Sequence, residues 1–510
     1  MRLRGSSLIL RGASLLFAIL AVILTTFQLV RYSLLRADYP PDMTIAGVSV
    51  GGTDPQTAEQ RLLQVYSIPV ELDYGSAVID LAPNVIGFQL NTDSMLAAAD
   101  LQRTGSSFWG GFWDYLWNRR SAASQIPLVA TYSEQRLRDY LRDEIASRYD
   151  QPSIPAQPIP GSSNYNPGTP GQNLDIDRAV TLIESAMQSP TDRKVILSSQ
   201  STAPGRPSLQ QLEVQLKSII AANGFNGLVD LYFLDLQTAQ ELHFATQAGQ
   251  DVSLSPEISF GASGTIMIPI MVTTYLYYNS KLDPSTSALL QNMITLSDNT
   301  AADTLSDNTA ADALMEGINK ARGPLLVSET MKKLGLANTF LAGYFFSGAP
   351  VLELFNTPGN SRPDINTNPD THKQTTPADM GMLLEDIYQC SQVGGGALVA
   401  AFPGQIDQAA CQQMIQTLEL DKVGVLLETG VPDGTAVAHQ HGWVTDLTGV
   451  MHTVCDAAII YTPGGNYILS VYSYHPNQII WEDPTTHLGI NHMYGDISRA
   501  VYNYFNLPTQ

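Results

Sequence analysis

The chain opens on an unbroken apolar run. After Arg2, Arg4 and Arg11, the residues from Gly12 to Val30 carry no charge. Nineteen helical residues span about 28 Å, close to the hydrocarbon thickness of a bilayer. Arginines ahead of the run place the N-terminus in the cytoplasm and the remaining chain outside. A cleaved signal peptide would carry a shorter apolar core followed by a small-x-small site. The segment "FQLVRYSLLRADY" has no such site, so residues 1–11 are expected to be a cytoplasmic segment and 12–30 an uncleaved, single-pass membrane anchor.

Beyond the anchor the periodicity changes. "MTIAGVSVGGTDPQTAEQRLLQVY" reads as a short strand, a Gly-Gly turn and a helix capped by Thr53 or Asp54. "PVELDYGSAVIDLAP" predicts a hairpin and "NTDSMLAAADLQRTG" a helix. Residues 151–172, "QPSIPAQPIPGSSNYNPGTPGQ", are rich in Pro, Gly and Ser and predict a loop. A second break, "SSQSTAPGRPS", precedes the helix "LQQLEVQLKSII". From there "GLVDLYFLDLQTAQELHFA" alternates like a hairpin of sheet strands, a helical middle follows, and strands return in "CDAAIIYT" and "YILSVYSYH" before a last amphipathic helix. The predicted class is α+β: a small α+β domain over 40–205, then an α/β sandwich over 208–510 whose antiparallel sheet is flanked by helices.

Composition narrows the function more than the fold. A chain of 510 residues exceeds one hydrophobic core. A net charge of −21 with only 8 Lys argues against a protein that tracks nucleic-acid phosphates. Cys390 closes one predicted helix and Cys411 opens the next, which makes a bridge across a helical hairpin or two buried thiols; Cys455 stands apart. None of the three sits in an arrangement that would make it a nucleophile.

Two stretches carry family likeness. "IAGVSVGG", "AEQRLL" and "VIGFQLNTDSMLAAA", resuming at "PGQNLDIDRAVTLIESAMQSPTDRKVIL", resemble the peptidoglycan-binding domain found ahead of VanW-type proteins. That resemblance implies a cell-wall ligand. Residues 208–508 resemble the class A β-lactamases and penicillin-recognising serine hydrolases, whose chemistry rests on S-x-x-K, S-D-N and K-T-G. The resemblance implies a nucleophilic serine with a lysine one helical turn later, an S-D-N serine and asparagine beside the substrate, and a K-T-G strand that receives its carboxylate.

The S-D-N match is the strongest. "TLSDNTAAD" occurs twice without a mismatch, at 295–303 and 304–312, so Ser297 with Asn299 and Ser306 with Asn308 are alternative candidates. Nine residues are about 2.5 helical turns, so in a continuous helix the two copies face opposite ways. Ser-Asp-Asn is also good N-cap chemistry, and the two copies read that way equally well. The other two motifs fail. In "FGASGTIMIPIM" the serine position falls on Gly264 and the lysine position on Met267; shifting by one makes Ser263 the nucleophile with Ile266 at the base position. Lys281 lies too far along. A serine without its base loses about 10²–10⁴-fold for proton transfer alone, and glycine has no nucleophile. In "VAHQHGWVTD", Gln440 replaces lysine, His441 replaces threonine, and Gly442 remains. Glu353 is near the place of a deacylating glutamate but off the usual spacing.

Joint loss of two motifs implies a pseudoenzyme: a membrane-anchored, extracytoplasmic, cell-wall-associated protein that binds peptidoglycan, its stem peptide or a protein partner through the old cleft. The alternative is an active serine hydrolase, a β-lactamase or D,D-peptidase using Ser263. A third reading sets His439 and His441 on one strand face near His452 and Asp456 as a zinc site; the resemblance accounts for the first histidine structurally, so no metal and no cofactor are expected.

Overall fold

The computed structural model describes residues 5–105, 107–119, 124–295, 303–421 and 423–507. It forms two compact units, Met1–Ile154 with Pro170–Ala203 and Pro155–Thr169 with Pro204–Gln510.

The first unit begins with helix α1 (Gly5–Leu35). Its segment Leu10–Leu35 is long and apolar enough to cross a membrane, a property that a membrane span and a signal sequence share. Helix Pro55–Tyr66 starts at Asp54, whose carboxylate accepts from the Gln56 and Thr57 amides; this settles the cap on Asp54 and satisfies two amides that would otherwise lack partners. Helix α2 (Phe108–Leu116) is short. Two apolar cores hold the unit, one around Met43, Ile45, Leu62 and Met95, the other around Leu72, Leu81, Leu137 and Ile183.

The second unit is built on a six-stranded antiparallel sheet. Its strands are β1 (Leu228–Asp235), β2 (Glu241–Gln247), β3 (Gln250–Val252), β4 (Val437–Thr445), β5 (Met451–Ile460) and β6 (Tyr467–Tyr474), in the order β3-β2-β1-β6-β5-β4. First and last strands of the sheet in chain order are therefore neighbours, β1 pairing with β6 through Leu231↔Val471. Every residue of β1 is buried because both sheet faces are covered. Alternation splits the strand between the two cores. Leu231 and Phe233 point to helices α3 (Leu209–Ala222) and α8 (Ile490–Phe505). Tyr232 and Leu234 point to a helical layer containing α4 (Met267–Tyr277), α5 (Asp303–Asn319), α6 (Pro377–Val393) and α7 (Gln408–Leu418). Helix α4 is buried from Met267 through Leu276, as expected of a helix apolar on all sides. Cys390 of α6 and Cys411 of α7 form a disulfide with their Cα atoms 5.8 Å apart, and Cys455 is a buried free thiol.

One sequence expectation changes here. The Pro/Gly-rich stretch divides: residues 155–169 fold with the second unit, because Tyr165 and Ala156 join its core. Gln215 donates to the Ser162 and Asn164 carbonyls at 2.9 and 3.1 Å, and Tyr165 to the Ala500 carbonyl at 3.1 Å. The second "TLSDNTAAD" copy, 304–312, begins one residue into the described helix α5 (Asp303–Asn319).

Candidate functional site

The turn expected to carry the nucleophile is a 3₁₀ turn, Ser263–Ile266, running straight into α4. Ser263 enters it with φ +49, a left-handed conformation that costs a residue with a Cβ roughly 1 kcal/mol. Its hydroxyl is buried and donates to the Trp443 carbonyl of β4 at 2.8 Å. Thr265 fixes the same turn, donating to the Ala262 carbonyl at 2.6 Å and meeting the Tyr472 hydroxyl at 2.7 Å.

Gly264 and Gly442 lie in direct contact across the gap between turn and strand. A Cβ on Gly264 would overlap the His441 carbonyl oxygen and stand 3.4 Å from the Gly442 Cα. A Cβ on Gly442 would come 2.5 Å from Ser263 Oγ and 2.9 Å from the Gly264 Cα. This close approach is what both glycines permit. The Cys455 thiol, on the neighbouring strand, closes the same corner with Sγ 3.4 Å from the Gly442 carbonyl; burial pushes its pKa far up. Met267, the lysine position in the Gly264 frame, is buried in the apolar core of α4.

Sequence reasoning missed one cation at this corner. Lys373, in the short strand Lys373–Thr375, accepts the Ala262 amide through its carbonyl at 3.2 Å. Its ammonium stands 4.6 Å from the Phe345 ring centroid, and its charge reaches the Cys455 thiol. The register that brings Gln374 opposite Gly261 puts it there, and nothing in the local sequence signals that pairing.

On β4 alternation separates the degenerate K-T-G positions. Ala438 belongs to the helical layer with α4, whereas Val437 belongs to the α3–α8 layer. Gln440 and Gly442 therefore share the α4 face, and His439, His441 and Trp443 lie on the other. His441 thus cannot stand in for a substrate-facing threonine. Its Nδ1 lies 3.0 Å from Asp421 Oδ2. The rings of His439, His441, Trp443 and Trp481 form a row with successive centroids 5.6, 5.9 and 4.9 Å apart.

His439 is fully buried and bonded through Nδ1 to Asp456 at 3.1 Å. Its Nε2 lies 3.9 Å from Glu428 and 4.0 Å from Asp421. Burial alone would lower its pKa, but the carboxylates of Asp456, Asp421 and Glu428 overcome that and hold it at about 9. A positive charge thus sits one residue from the Gln440 position, on the wrong face for a ligand in the cleft.

Asp421, His439 and His441 offer ligand atoms within 4.8 Å of one another. A tetrahedral zinc site with bonds of about 2.0–2.1 Å needs edges near 3.4 Å. The 4.0 Å and 3.0 Å separations fit a buried charge network better, with one histidine held by Asp456 and the other by Asp421. The sequence reading of zinc had grouped His452 and Asp456; His452 instead bonds the His475 carbonyl at 3.1 Å.

Ser297 and Asn299 lie outside the described residues, and for Ser306 and Asn308 the described feature is their place in the α5 backbone. The end of that copy is fixed by Asp312, whose carboxylate accepts the Phe345 and Phe346 amides at 2.8 and 3.0 Å. Glu353 is exposed.

An antiparallel sheet between two helical layers, with a turn-to-helix corner meeting its edge strand, is the architecture of a serine β-lactamase-like domain. The model of the Beta-lactamase2 family, the Beta-lactamase enzyme family, matches residues 249–505, and the chain belongs to that family. Among solved structures, PBP-A is similar at 19% identity, covering 59% of this chain and 98% of its own, with a TM-score of 0.39. The β-lactamase from Desulfarculus baarsii DSM 2075 is similar at 16% identity, covering 59% of this chain and 100% of its own, with a TM-score of 0.40. That from Sphaerobacter thermophilus DSM 20745 is similar at 16%, covering 59% and 99%, with a TM-score of 0.38. No curated protein matches the chain.

Proposed function

We propose that this protein is a catalytically degenerate member of its family, tethered by α1 with its two larger units on the extracytoplasmic side, and that it acts by binding peptidoglycan or its stem peptide. The observation that carries the reading is the hydroxyl of Ser263, committed as donor to the Trp443 carbonyl at 2.8 Å beside a glycine at the alternative nucleophile position. A nucleophile needs its proton directed to a base. Here the proton points into a strand carbonyl, which accepts but does not abstract it. Anchoring is supported by the length and apolarity of α1 and by the arginines ahead of it. A cell-wall ligand is supported by the family and by the resemblance of residues 40–205 to a peptidoglycan-binding domain.

The test is the intact mass of the full-length protein in detergent after incubation with excess benzylpenicillin, run beside co-sedimentation with purified sacculi. The expected result is no mass shift with retention on the sacculi. A gain of one penicillin mass that disappears in Ser263→Ala would establish a live hydrolase and overturn the reading.

A further inference from the structure

Helix α2 is unusual for a helix in water. Its sequence, "FWGGFWDYL", followed by Trp117, holds two glycines and a single charge in nine residues. Each glycine costs about 1 kcal/mol of helix stability, and an isolated helix this short is marginal in water. One stripe is satisfied: Phe108, Phe112 and Tyr115 surround Tyr32 of α1 with ring centroids 5.4, 5.6 and 5.5 Å away. The next stripe is not. Trp109, Trp113 and Trp117, at i, i+4 and i+8, are 63%, 58% and 70% exposed. These are three of the five tryptophans in the chain.

The contacts fix the direction of α2 relative to α1. Phe108 lies under the Arg36 guanidinium at 5.4 Å, whereas the Tyr115 hydroxyl donates to Gln28 Oε1 at 3.0 Å. Going from Phe108 to Tyr115 along α2 is therefore going backward along α1 from Arg36 to Gln28, about 12 Å of helix. The uncharged run of α1 ends at Val30 with Arg31 next. The C-terminal end of α2 thus reaches the level of the last apolar turn of α1.

Resting on the anchor reading above, we propose that α2 descends beside α1 into the outer-leaflet interface, with the Trp109–Trp113–Trp117 stripe buried in lipid at the boundary between headgroups and acyl chains. That boundary is where tryptophan is enriched, its ring apolar and its indole N–H able to meet headgroups. A helix alongside α1 at that depth has lipid as its neighbour wherever α1 does not cover it. The anchor and α2 together make a two-helix foot that restricts the tilt of the attached unit, where one helix alone would leave it free to swing.

The test uses the full-length protein reconstituted in phosphatidylcholine–phosphatidylglycerol vesicles containing lipid brominated near the headgroup or deep in the acyl chain, with tryptophan emission as the readout. Carbonate extraction at high pH reports the anchor separately. The expected result is a protein that resists carbonate and loses much of its emission to the shallow bromolipid, since three of its five tryptophans lie in the stripe, and less to the deep one. In Trp109→Ser/Trp113→Ser/Trp117→Ser that quenching vanishes while carbonate resistance stays. Carbonate resistance without shallow quenching in the wild type overturns the α2 proposal and leaves the anchor standing. So does emission quenched by aqueous acrylamide but not bromolipid, or by neither, the latter meaning a protein cover. Release by carbonate overturns the anchor and the α2 proposal with it.

Discussion

Restoring the missing serine and lysine is the natural repair experiment, and the geometry predicts that it fails. Gly264→Ala isolates the first half. Its Cβ would occupy the space of the His441 carbonyl oxygen, with the carbonyl carbon 3.2 Å away. Relief requires β4 to move by about an ångström, yet β4 is paired with β5 along its length. Overpacking of this kind costs about 1–3 kcal/mol, and losing the Ser263–Trp443 hydrogen bond adds about 1 kcal/mol. Adding Met267→Lys places an ammonium at a position 2% exposed within an apolar core, which costs several kcal/mol more unless the lysine deprotonates. The single variant is expected to lose about 2–4 kcal/mol, and Gly264→Ser/Met267→Lys most of a stability typically about 5–15 kcal/mol. The assay is urea unfolding of the full-length protein in detergent, in a Trp109→Ser/Trp113→Ser/Trp117→Ser background so that emission comes from Trp443 and Trp481. Gly205→Ala, where a Cβ meets nothing within 4 Å, is the control and should move the midpoint by only a few tenths of a kcal/mol. A Gly264→Ala midpoint indistinguishable from that control, or a stable double variant that acylates with penicillin, would refute the closed corner.

Other expectations follow from the same contacts. His439 has its folded pKa raised to about 9, so its stabilisation is complete below about pH 6.5 and is lost as pH rises towards 9, on the order of 3 kcal/mol. The melting temperature should fall over that window and fall less in His439→Gln; equal slopes would show that the buried imidazolium is not the cause. The Cys390–Cys411 bridge closes a loop with a sequence separation of 21, and Cys390→Ser/Cys411→Ser should lose about 3 kcal/mol in urea unfolding. The buried Cys455 thiol should react with a thiol reagent only after denaturant is added, and rapid modification of the native protein would contradict the packing around Gly442. Ser263→Ala should cost about 1 kcal/mol and leave sacculus binding intact; loss of binding without loss of folding would place the hydroxyl in the ligand site.

What could be read from the sequence followed what is local. The apolar run of α1, a cap at Thr53 or Asp54, the β1–β2 hairpin and the absence of lysine at Met267 and Gln440 are each written within a few residues. The rest depends on pairing distant segments. Glycine at 264 reads as a missing nucleophile, and only the register of β4 against the turn makes it a packing requirement. His441 reads as a weak substitute for threonine until strand alternation turns it to the other face. Lys373 at the corner, and Asp421 and Glu428 beside His439 on the other face of β4, have no local signal, because pairings set by the sheet bring each into place. Tyr165 was hidden by the proline and glycine around it, since composition marks a loop but does not say which core its one aromatic enters.

On the proposed reading, the departures at 264 and at 440–441 meet at one contact, and this bears on whether the chemistry could be restored. With any side chain at 264, the His441 carbonyl and Gly442 must stand farther off. With glycine there, turn and strand close, and the Ser263 hydroxyl becomes the donor that holds them together. Once closed, the corner has no use for a charge at 440. A neutral glutamine is tolerated in a position fully buried, where an unpaired lysine would be costly. His439 supplies the strand with a cation on the far face, matched by Asp456. Glycine at 264 and a neutral side chain at 440 are therefore both compatible with the same closed arrangement. Reversing 264 or 440 alone is uphill, so on the proposed reading a ligand would bind away from this corner or against its closed surface.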